Sequence, residues 1–136
     1  MDGHLAYFLS GPTRYIGDRA FDRRLEAVRL ALADVRSAAL SRRSAPFCDA
    51  LSEVEKEVSA YIWLMFSSRH GNVTEETKAL ARQSIERVRI HAAKVRYTRP
   101  AGWRRYSRRM YGLRRKMFRF YRLICAAQTP PGDRAS

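Results

Sequence analysis

The chain has 136 residues, enough for one domain with a modest core, and its 27 basic and 13 acidic side chains give a net charge of +14. Residues 1–86 hold 12 basic and 12 acidic side chains, so the whole excess lies in the last third and indicates an acidic partner: nucleic acid, an anionic protein surface or anionic lipid. The two isolated cysteines argue against a structural zinc site and indicate a reducing compartment. No signal peptide is recognised, and the longest apolar run, residues 60–66, is far too short to span a membrane.

The beginning of the chain, residues 1–17, is interrupted by glycine and proline and is interpreted as a flap or extension. Residues 18–127 are predicted to form a single helical domain, because apolar residues recur there at spacings of three and four. The four stripes are Phe21, Leu25, Val28, Leu32, Val35 and Ala39; Phe47, Leu51, Val54, Val58, Ile62 and Met65; Ala81, Ile85, Val88, Ala92 and Val95; and Trp103, Tyr106, Met110, Leu113, Met117, Phe120 and Ile124. The fold class is therefore all-α, a small bundle of three to four helices with a strongly basic C-terminal helix.

Capping and breaking residues mark where these helices begin and end. The expected signals are Asp18 and Thr74 as N-terminal caps, Pro46 in a first turn, and breaks at residues 71–72 and 100–102. The second helix carries extra apolar residues, Tyr61, Trp63, Leu64 and Phe66, which predict burial on several sides of its C-terminal half. Residues 128–136 read as a disordered tail.

An Arg-rich aromatic region, residues 94–122, dominates the end of the chain, and no Asp or Glu occurs between Glu86 and Asp133. On a helical wheel centred on Met117, the apolar stripe stays within about 60°. Tyr111, Arg115, Phe118 and Arg122 fall together on the far side, at about 100–160°. Exposed aromatics among arginines are typical of interface hot spots, so this second stripe is predicted to dock on a partner. The alternative is that Phe118 and Tyr111 pack under residues 1–17.

A dense basic cluster precedes that stripe and contains Arg99, Arg104, Arg105, Arg108 and Arg109. Such a cluster binds phosphates or is read by nuclear import receptors as a basic patch. The alternative is a solvated helix face, the usual fate of charged runs. A partner is favoured over solvation because so many like charges repel each other and lower stability.

Catalytic and metal-binding constellations are not found. His4, His70 and His91 are scattered, and His91 lies beside the core stripe of the third helix, where packing is its commoner role. No Gly-rich phosphate loop, no Ser/His/Asp set and no paired inward carboxylates can be assembled. The sequence therefore predicts a protein that is not an enzyme and needs no cofactor or metal.

A series of short matches extends over residues 59–122. The matching residues are Ser59-Ala60, His70-Gly71, Val73, Glu76, Ala79, Arg82, Arg87, Ile90, Arg104-Arg105, Arg108-Arg109 and Phe118-Arg119-Phe120-Tyr121. In this pattern the chain resembles the early-region-four open-reading-frame-four protein family of adenoviruses. Residues 1–45 match nothing, the proline-rich start of the human viruses' versions is missing, and the break at residues 100–102 departs from that family's continuous Arg-rich tract.

The resemblance implies a non-enzymatic viral early regulatory protein that binds the regulatory B subunit of host protein phosphatase 2A and redirects its activity. It implies location in the host nucleus, including the nucleolus, and in the host cytoplasm, with Src-type kinases and nuclear import receptors as further partners of the Arg-rich tract. The family's Arg-x-x-Phe docking motif corresponds to Arg115 and Phe118 here, whereas the ungapped register places Leu113 and Lys116 there. The helical wheel favours Arg115 and Phe118.

Two functions follow from these observations. In the first, the chain is a helical adaptor that docks on the phosphatase B subunit through Phe118 and Tyr111 as apolar anchors. Arg115, Arg119 and Arg122 then pair with carboxylates. In the second, the chain is an Arg-rich helical nucleic-acid-binding protein whose basic helix contacts phosphates and whose exposed aromatics stack on bases.

Overall fold

The computed structural model describes residues 19–42, 45–69 and 73–127, and in these ranges it contains four α-helices and no strand. In chain order they are α1 (Arg19–Arg42), α2 (Ala45–Ser67), α3 (Glu75–Thr98) and α4 (Trp103–Ala127). The predicted all-α bundle is confirmed, with four helices. The expected flap, the Asp18 cap, the break at residues 71–72 and the tail at residues 128–136 lie outside the described residues.

The four apolar stripes form the core of the bundle. Every residue of the first two stripes is buried, and in the last two only Ala92 and Trp103 are half-buried. Aromatic rings of different helices are in contact in this core. The Phe21 and Phe120 ring centroids of α1 and α4 are 5.0 Å apart, and the Phe47 and Tyr106 centroids of α2 and α4 are 5.1 Å apart. Aromatic pairs in edge-on or tilted contact stabilise a core by about 0.5–1.5 kcal/mol each beyond the area they bury. The stripes thus predict the core of the described bundle.

The helices pack in a ring in which each contacts its neighbours in sequence and α4 closes the ring against α1. Short connections make successive helices antiparallel, so that Arg36 of α1 pairs with Glu55 of α2 and Arg87 of α3 pairs with Glu57 of α2, each at 3.5 Å. The helices α2 and α4 lie diagonally, with their backbones farther apart, and meet in the core through large side chains such as Phe47 and Tyr106. As a result α4 borders two grooves, one shared with α3 and one shared with α1.

Two local signals set the ends of α3. The Thr74 hydroxyl accepts a hydrogen bond from the Thr77 amide at 3.1 Å, as expected for an N-terminal cap. At the other end Arg99 adopts a left-handed conformation with φ of 46°, and its amide donates to the Val95 carbonyl at 3.1 Å. Gly102, with φ of 86°, then turns the chain into α4. The predicted break at residues 100–102 is confirmed.

The C-terminal half of α2 differs from its prediction. Tyr61 is fully buried, but Trp63 is half exposed, and Leu64 and Phe66 are only partly buried. The apolar residues of this segment follow one another in sequence, so the helical turn spreads them around α2 and not all of them can face the core. Among the described helices, none combines the length and the apolar character needed to cross a membrane.

Candidate protein-docking surface on α4

The helix α4 presents two chemically different faces because its sequence alternates apolar and basic residues at helical spacing. Tyr106, Met110, Leu113, Met117 and Phe120 are buried, whereas Tyr111 and Phe118 are 60% and 41% exposed. Nine Arg and Lys residues and no acidic residue occur within Trp103–Ala127. The far side of the helix is thus both aromatic and cationic, as the helical wheel predicts.

A groove between α3 and α4, called here the α3–α4 groove, has a volume of about 320 Å³. Its lining residues are Ile85, Tyr111, Arg114, Arg115, Phe118, Arg119 and Arg122. All five residues predicted for docking therefore line one concave surface. The alternative in which Tyr111 and Phe118 pack under residues 1–17 lies outside the described residues.

Guanidinium groups cover both exposed aromatic rings of the groove. The Arg115 guanidinium carbon lies 5.9 Å from the Tyr111 ring centroid, and the Arg122 guanidinium carbon lies 4.8 Å from the Phe118 centroid. Each pair is one helical turn apart, so the helix itself sets the spacing. Cation–π attraction at exposed sites is worth about 0.5–1 kcal/mol. It favours positions of the two guanidinium groups over the rings.

Tyr121 of α4 links α4 to α3 beside the groove. Arg82 of α3 donates a hydrogen bond from Nη1 to the Tyr121 hydroxyl at 2.8 Å, and the Tyr121 ring lies 6.2 Å from the Phe118 ring. Desolvation raises the pKa of Tyr121, while Arg82 opposes that rise by stabilising the phenolate. The hydroxyl therefore stays protonated at neutral pH and accepts the arginine hydrogen bond as a neutral group.

Two lining residues are missing from the sequence prediction. Ile85 belongs to the core stripe of α3, and only the angle between the helices exposes its edge to the groove. Arg114 lies at about 60° on the wheel, between the two faces, and its Nε is buried without a hydrogen-bond partner. Glu86 is the nearby acid: its hydrogen bond with Arg89 lowers the Glu86 pKa, and Arg114 adds to that shift through its charge. No spacing in the sequence predicts that Ile85 of α3 and Arg114 of α4 line the same groove.

The residues of the two Arg-x-x-Phe registers differ in exposure. Leu113 is fully buried, so it has no surface to offer a partner. Arg115 and Phe118 are exposed and lie in the same groove. The wheel likewise places Arg115 and Phe118 away from the buried stripe of α4.

The residues of the basic cluster predicted for nuclear targeting have different surroundings. Arg99 and Arg104 both approach the Trp103 ring, at 5.7 and 5.4 Å. Arg109 turns toward α1 and pairs with Asp34 at 3.4 Å. Arg105 and Arg108 are exposed. The helical turn separates these residues around α4, so their charge is spread over several sides.

His91 lies in the shallow groove between α2 and α3, beside Glu53 and Lys94. Desolvation lowers its pKa, and Lys94 lowers it further. His4 and His70 lie outside the described residues. Within the parts of the chain that the structure describes, no group of three or more His, Cys, Asp or Glu side chains could hold a metal ion, and both cysteines are free.

Comparisons with known proteins add no relative to this picture. No family model matches the chain, and neither a curated protein nor a solved structure matches it.

Proposed function

We propose that the chain is a non-enzymatic viral early regulatory adaptor that binds the regulatory B subunit of host protein phosphatase 2A and redirects its activity in the host nucleus. The observation that carries the docking role is the α3–α4 groove, where two exposed aromatic rings lie among arginines on one concave surface. The identity of the partner rests on the resemblance of residues 59–122 to the adenoviral family.

The groove has the composition of a protein-binding hot spot. Tyr111 and Phe118 supply apolar area, and Arg115, Arg119 and Arg122 supply forked donors that match carboxylates in pairs. The cation–π contacts restrict the two covering arginines before binding, which reduces the side-chain entropy lost on association. An acidic partner surface with a shallow apolar centre is the complement of this arrangement.

The direct test measures binding of the purified chain to the purified B subunit by isothermal calorimetry. Phe118→Ala and Arg115→Ala should each weaken the affinity by roughly thirtyfold, about 2 kcal/mol, as truncation of a central hot-spot residue does. Tyr97→Ala is the matched aromatic control, because Tyr97 is 89% exposed on α3 and does not line the groove. Arg23→Ala on α1 is the matched arginine control. Parent-like binding of both groove variants contradicts the proposal.

A second candidate function is nucleic-acid binding, and one observation favours it. Exposed arginines continue from the groove toward the start of α4: Arg104 lies on the same side as Arg115 and Arg122, and Arg108 lies where this side meets the α1 flank of the helix. This stripe extends over about 27 Å at 1.5 Å per residue, long enough to follow several phosphates. Trp103, flanked by Arg99 and Arg104, adds a ring on which a base could stack. The dependence of affinity on salt distinguishes the two functions.

Location and further partners follow from the same proposal. The basic residues Arg99, Arg104, Arg105, Arg108 and Arg109 serve nuclear import receptors, with the nucleolus and host cytoplasm as additional locations. Src-type kinases are further partners by resemblance alone. Because the cluster is spread around α4, recognition by import receptors requires an accessible subset of it: Arg104, Arg105 and Arg108 are the exposed members on this helix.

A further inference from the structure

A second groove, called here the α1–α4 groove, runs along the other side of α4 and has a volume of about 310 Å³. Small residues form its floor: Ala27 and Ala31 of α1, and Gly112 of α4. None of its lining residues is shared with the α3–α4 groove. The helix α4 therefore offers two separate concave surfaces, one on each flank.

Gly112 is the unexpected member of this floor. It lies in the interior of α4, where glycine destabilises a helix relative to alanine because it loses more backbone entropy on folding. A Cβ atom built on Gly112 would meet no other atom within 4 Å. Packing inside the described bundle therefore does not require a glycine here. The missing side chain leaves open space over the α4 backbone, which a group from outside could enter.

The edges of the α1–α4 groove carry charge of one dominant sign. Arg108 and Lys116 lie one helical turn before and after Gly112, and neither has an ion-pair partner among the described residues. Arg109 lies between them and pairs with Asp34, the one acid of the groove, at 3.4 Å. Leu30, 60% exposed, adds an apolar edge. The groove thus combines an open apolar floor with two uncompensated cations about 12 Å apart along the helix axis.

We propose that the α1–α4 groove docks an acidic segment of a second protein partner. One bulky apolar side chain of that segment lies over Gly112, between Ala27 and Ala31. Carboxylates on either side of it pair with Arg108 and Lys116. A second copy of this chain is a poor occupant, because each copy brings a net charge of +14 to the contact. The inference does not depend on phosphatase binding, and together the two grooves would allow one small chain to hold two proteins.

The spacing defines a probe. In a helical peptide, glutamates four residues before and after a central leucine place two carboxylates on one face at the same separation as Arg108 and Lys116. Fluorescence anisotropy measures binding of this labelled peptide to the full chain. The leucine peptide should bind. Replacing its leucine with alanine, or both glutamates with glutamine, should each weaken binding at least tenfold. Equal binding of the leucine and alanine peptides, or no binding of the leucine peptide, overturns the proposal.

Variants of the chain locate the site. Gly112→Leu fills the floor and should weaken peptide binding at least tenfold, whereas Phe118→Ala in the α3–α4 groove should leave it unchanged. The double variant Arg108→Glu/Lys116→Glu alters only the edges and should have the same effect as Gly112→Leu, which keeps the test valid if that leucine impairs folding. Peptide binding that survives both changes, or that is lost in Phe118→Ala, contradicts the assignment.

Gly112→Ala separates packing from docking. The added methyl group meets nothing in the described bundle, so the melting temperature should rise by about 4 °C as helix propensity improves. A lower melting temperature would mean that the fold itself needs the glycine.

Two further experiments test other occupants of the α1–α4 groove: light scattering tests a second copy of the chain, and deletion of residues 1–17 tests that segment. A dimer that Gly112→Leu dissociates, or peptide binding that appears only after the deletion, assigns the groove to a second copy or to that segment and overturns the proposal.

Discussion

Met117 and Phe118 are consecutive residues of α4 that point to different sides of the helix, about 100° apart. Met117 is completely buried, and its backbone carbonyl accepts a hydrogen bond from the buried Tyr61 hydroxyl of α2, whereas the Phe118 ring is 41% exposed beside Arg122. The rotation of about 100° per residue produces this separation. Stability and the proposed docking therefore depend on neighbouring residues, and we expect that each can be altered independently.

Truncation of these two residues should have unequal effects on folding. Met117→Ala leaves a cavity among α1, α2 and α4, so the free energy of unfolding should fall by about 2–5 kcal/mol. Phe118→Ala opens no enclosed cavity and should cost less than about 1 kcal/mol. Urea unfolding followed by far-ultraviolet circular dichroism measures both values. If Phe118→Ala is the more destabilising variant, the faces of α4 are assigned in reverse.

The fold of the described residues could be predicted from the sequence because its helices are amphipathic and are separated by helix-capping and helix-breaking residues. Thr74 is followed by acids at the start of α3, and Pro100 and Gly102 stop that helix, so its ends could be read directly. Hydrophobic periodicity fails where a helix is apolar all round. That is the case near Trp63, where apolar residues outnumber the positions that neighbouring helices cover. Exposure there depends on the packing of three helices.

The candidate site could be predicted only in part from the sequence. Tyr111, Arg115, Phe118 and Arg122 share one side of one helix, which a wheel can show. Ile85 and the buried Nε of Arg114 join them only because α3 lies at a particular distance and angle, which periodicity does not encode. The open space over Gly112 was missed for a related reason. A glycine in a helix is visible in sequence, but whether its missing side chain would meet a neighbour requires coordinates.

Salt titration should distinguish a protein partner from a nucleic-acid partner. Five phosphate contacts from the α4 arginines would release counterions and give a log–log slope of about −3 to −5 for affinity against salt. Binding to the phosphatase subunit through Tyr111 and Phe118 should retain a larger share of affinity at high salt, because screening weakens exposed charges and not buried apolar area. A slope near zero for DNA and RNA, or no binding to either, removes the nucleic-acid alternative.

Nuclear accumulation should depend on the exposed arginines at the start of α4. A fluorescent fusion, made large enough that it does not diffuse through nuclear pores, should lose nuclear enrichment when Arg104, Arg105 and Arg108 are changed to alanine. Arg109→Ala alone should have a smaller effect, because Arg109 is already paired with Asp34. The matched control changes three exposed arginines of other helices, Arg19 and Arg23 of α1 and Arg96 of α3. Undiminished enrichment of the triple variant would place the import signal elsewhere in the chain.

Protonation of His91 should destabilise the fold as the pH falls. Burial and Lys94 lower the His91 pKa in the folded state, so between about pH 6.5 and that lower pKa the unfolded chain binds more protons. Stability is therefore full above pH 6.5 and decreases through this window. The ionisable groups facing the ring are Glu53 and Glu57 of α2, which oppose the shift, and Arg87 and Lys94 of α3.

His91→Gln should flatten the stability profile in that window. Urea unfolding of parent and variant from pH 7.5 down to pH 5 measures the difference; below this range the carboxylates begin to titrate and obscure it. His91→Ala serves as a second variant, to separate the loss of charge from the loss of ring packing. Parallel profiles for parent and both variants would mean that His91 titrates alike in the folded and unfolded chains.

The hydrogen bond between Arg82 and Tyr121 should contribute a small, measurable coupling between α3 and α4. Tyr121→Phe removes the hydroxyl, and Arg82→Met keeps an aliphatic side chain while removing the donor. Tyr121→Phe also removes a hydrogen bond with Cys125. Only a double-mutant cycle isolates the pair. The bond is exposed to solvent, so the coupling energy should be about 0.5–1 kcal/mol in urea unfolding. A value indistinguishable from zero would mean that water replaces Arg82 without cost. In that case the hydrogen bond from α3 would not help to position Tyr121, whose ring lies 6.2 Å from the Phe118 ring. The affinity for the B subunit should then be equal in all four proteins of the cycle.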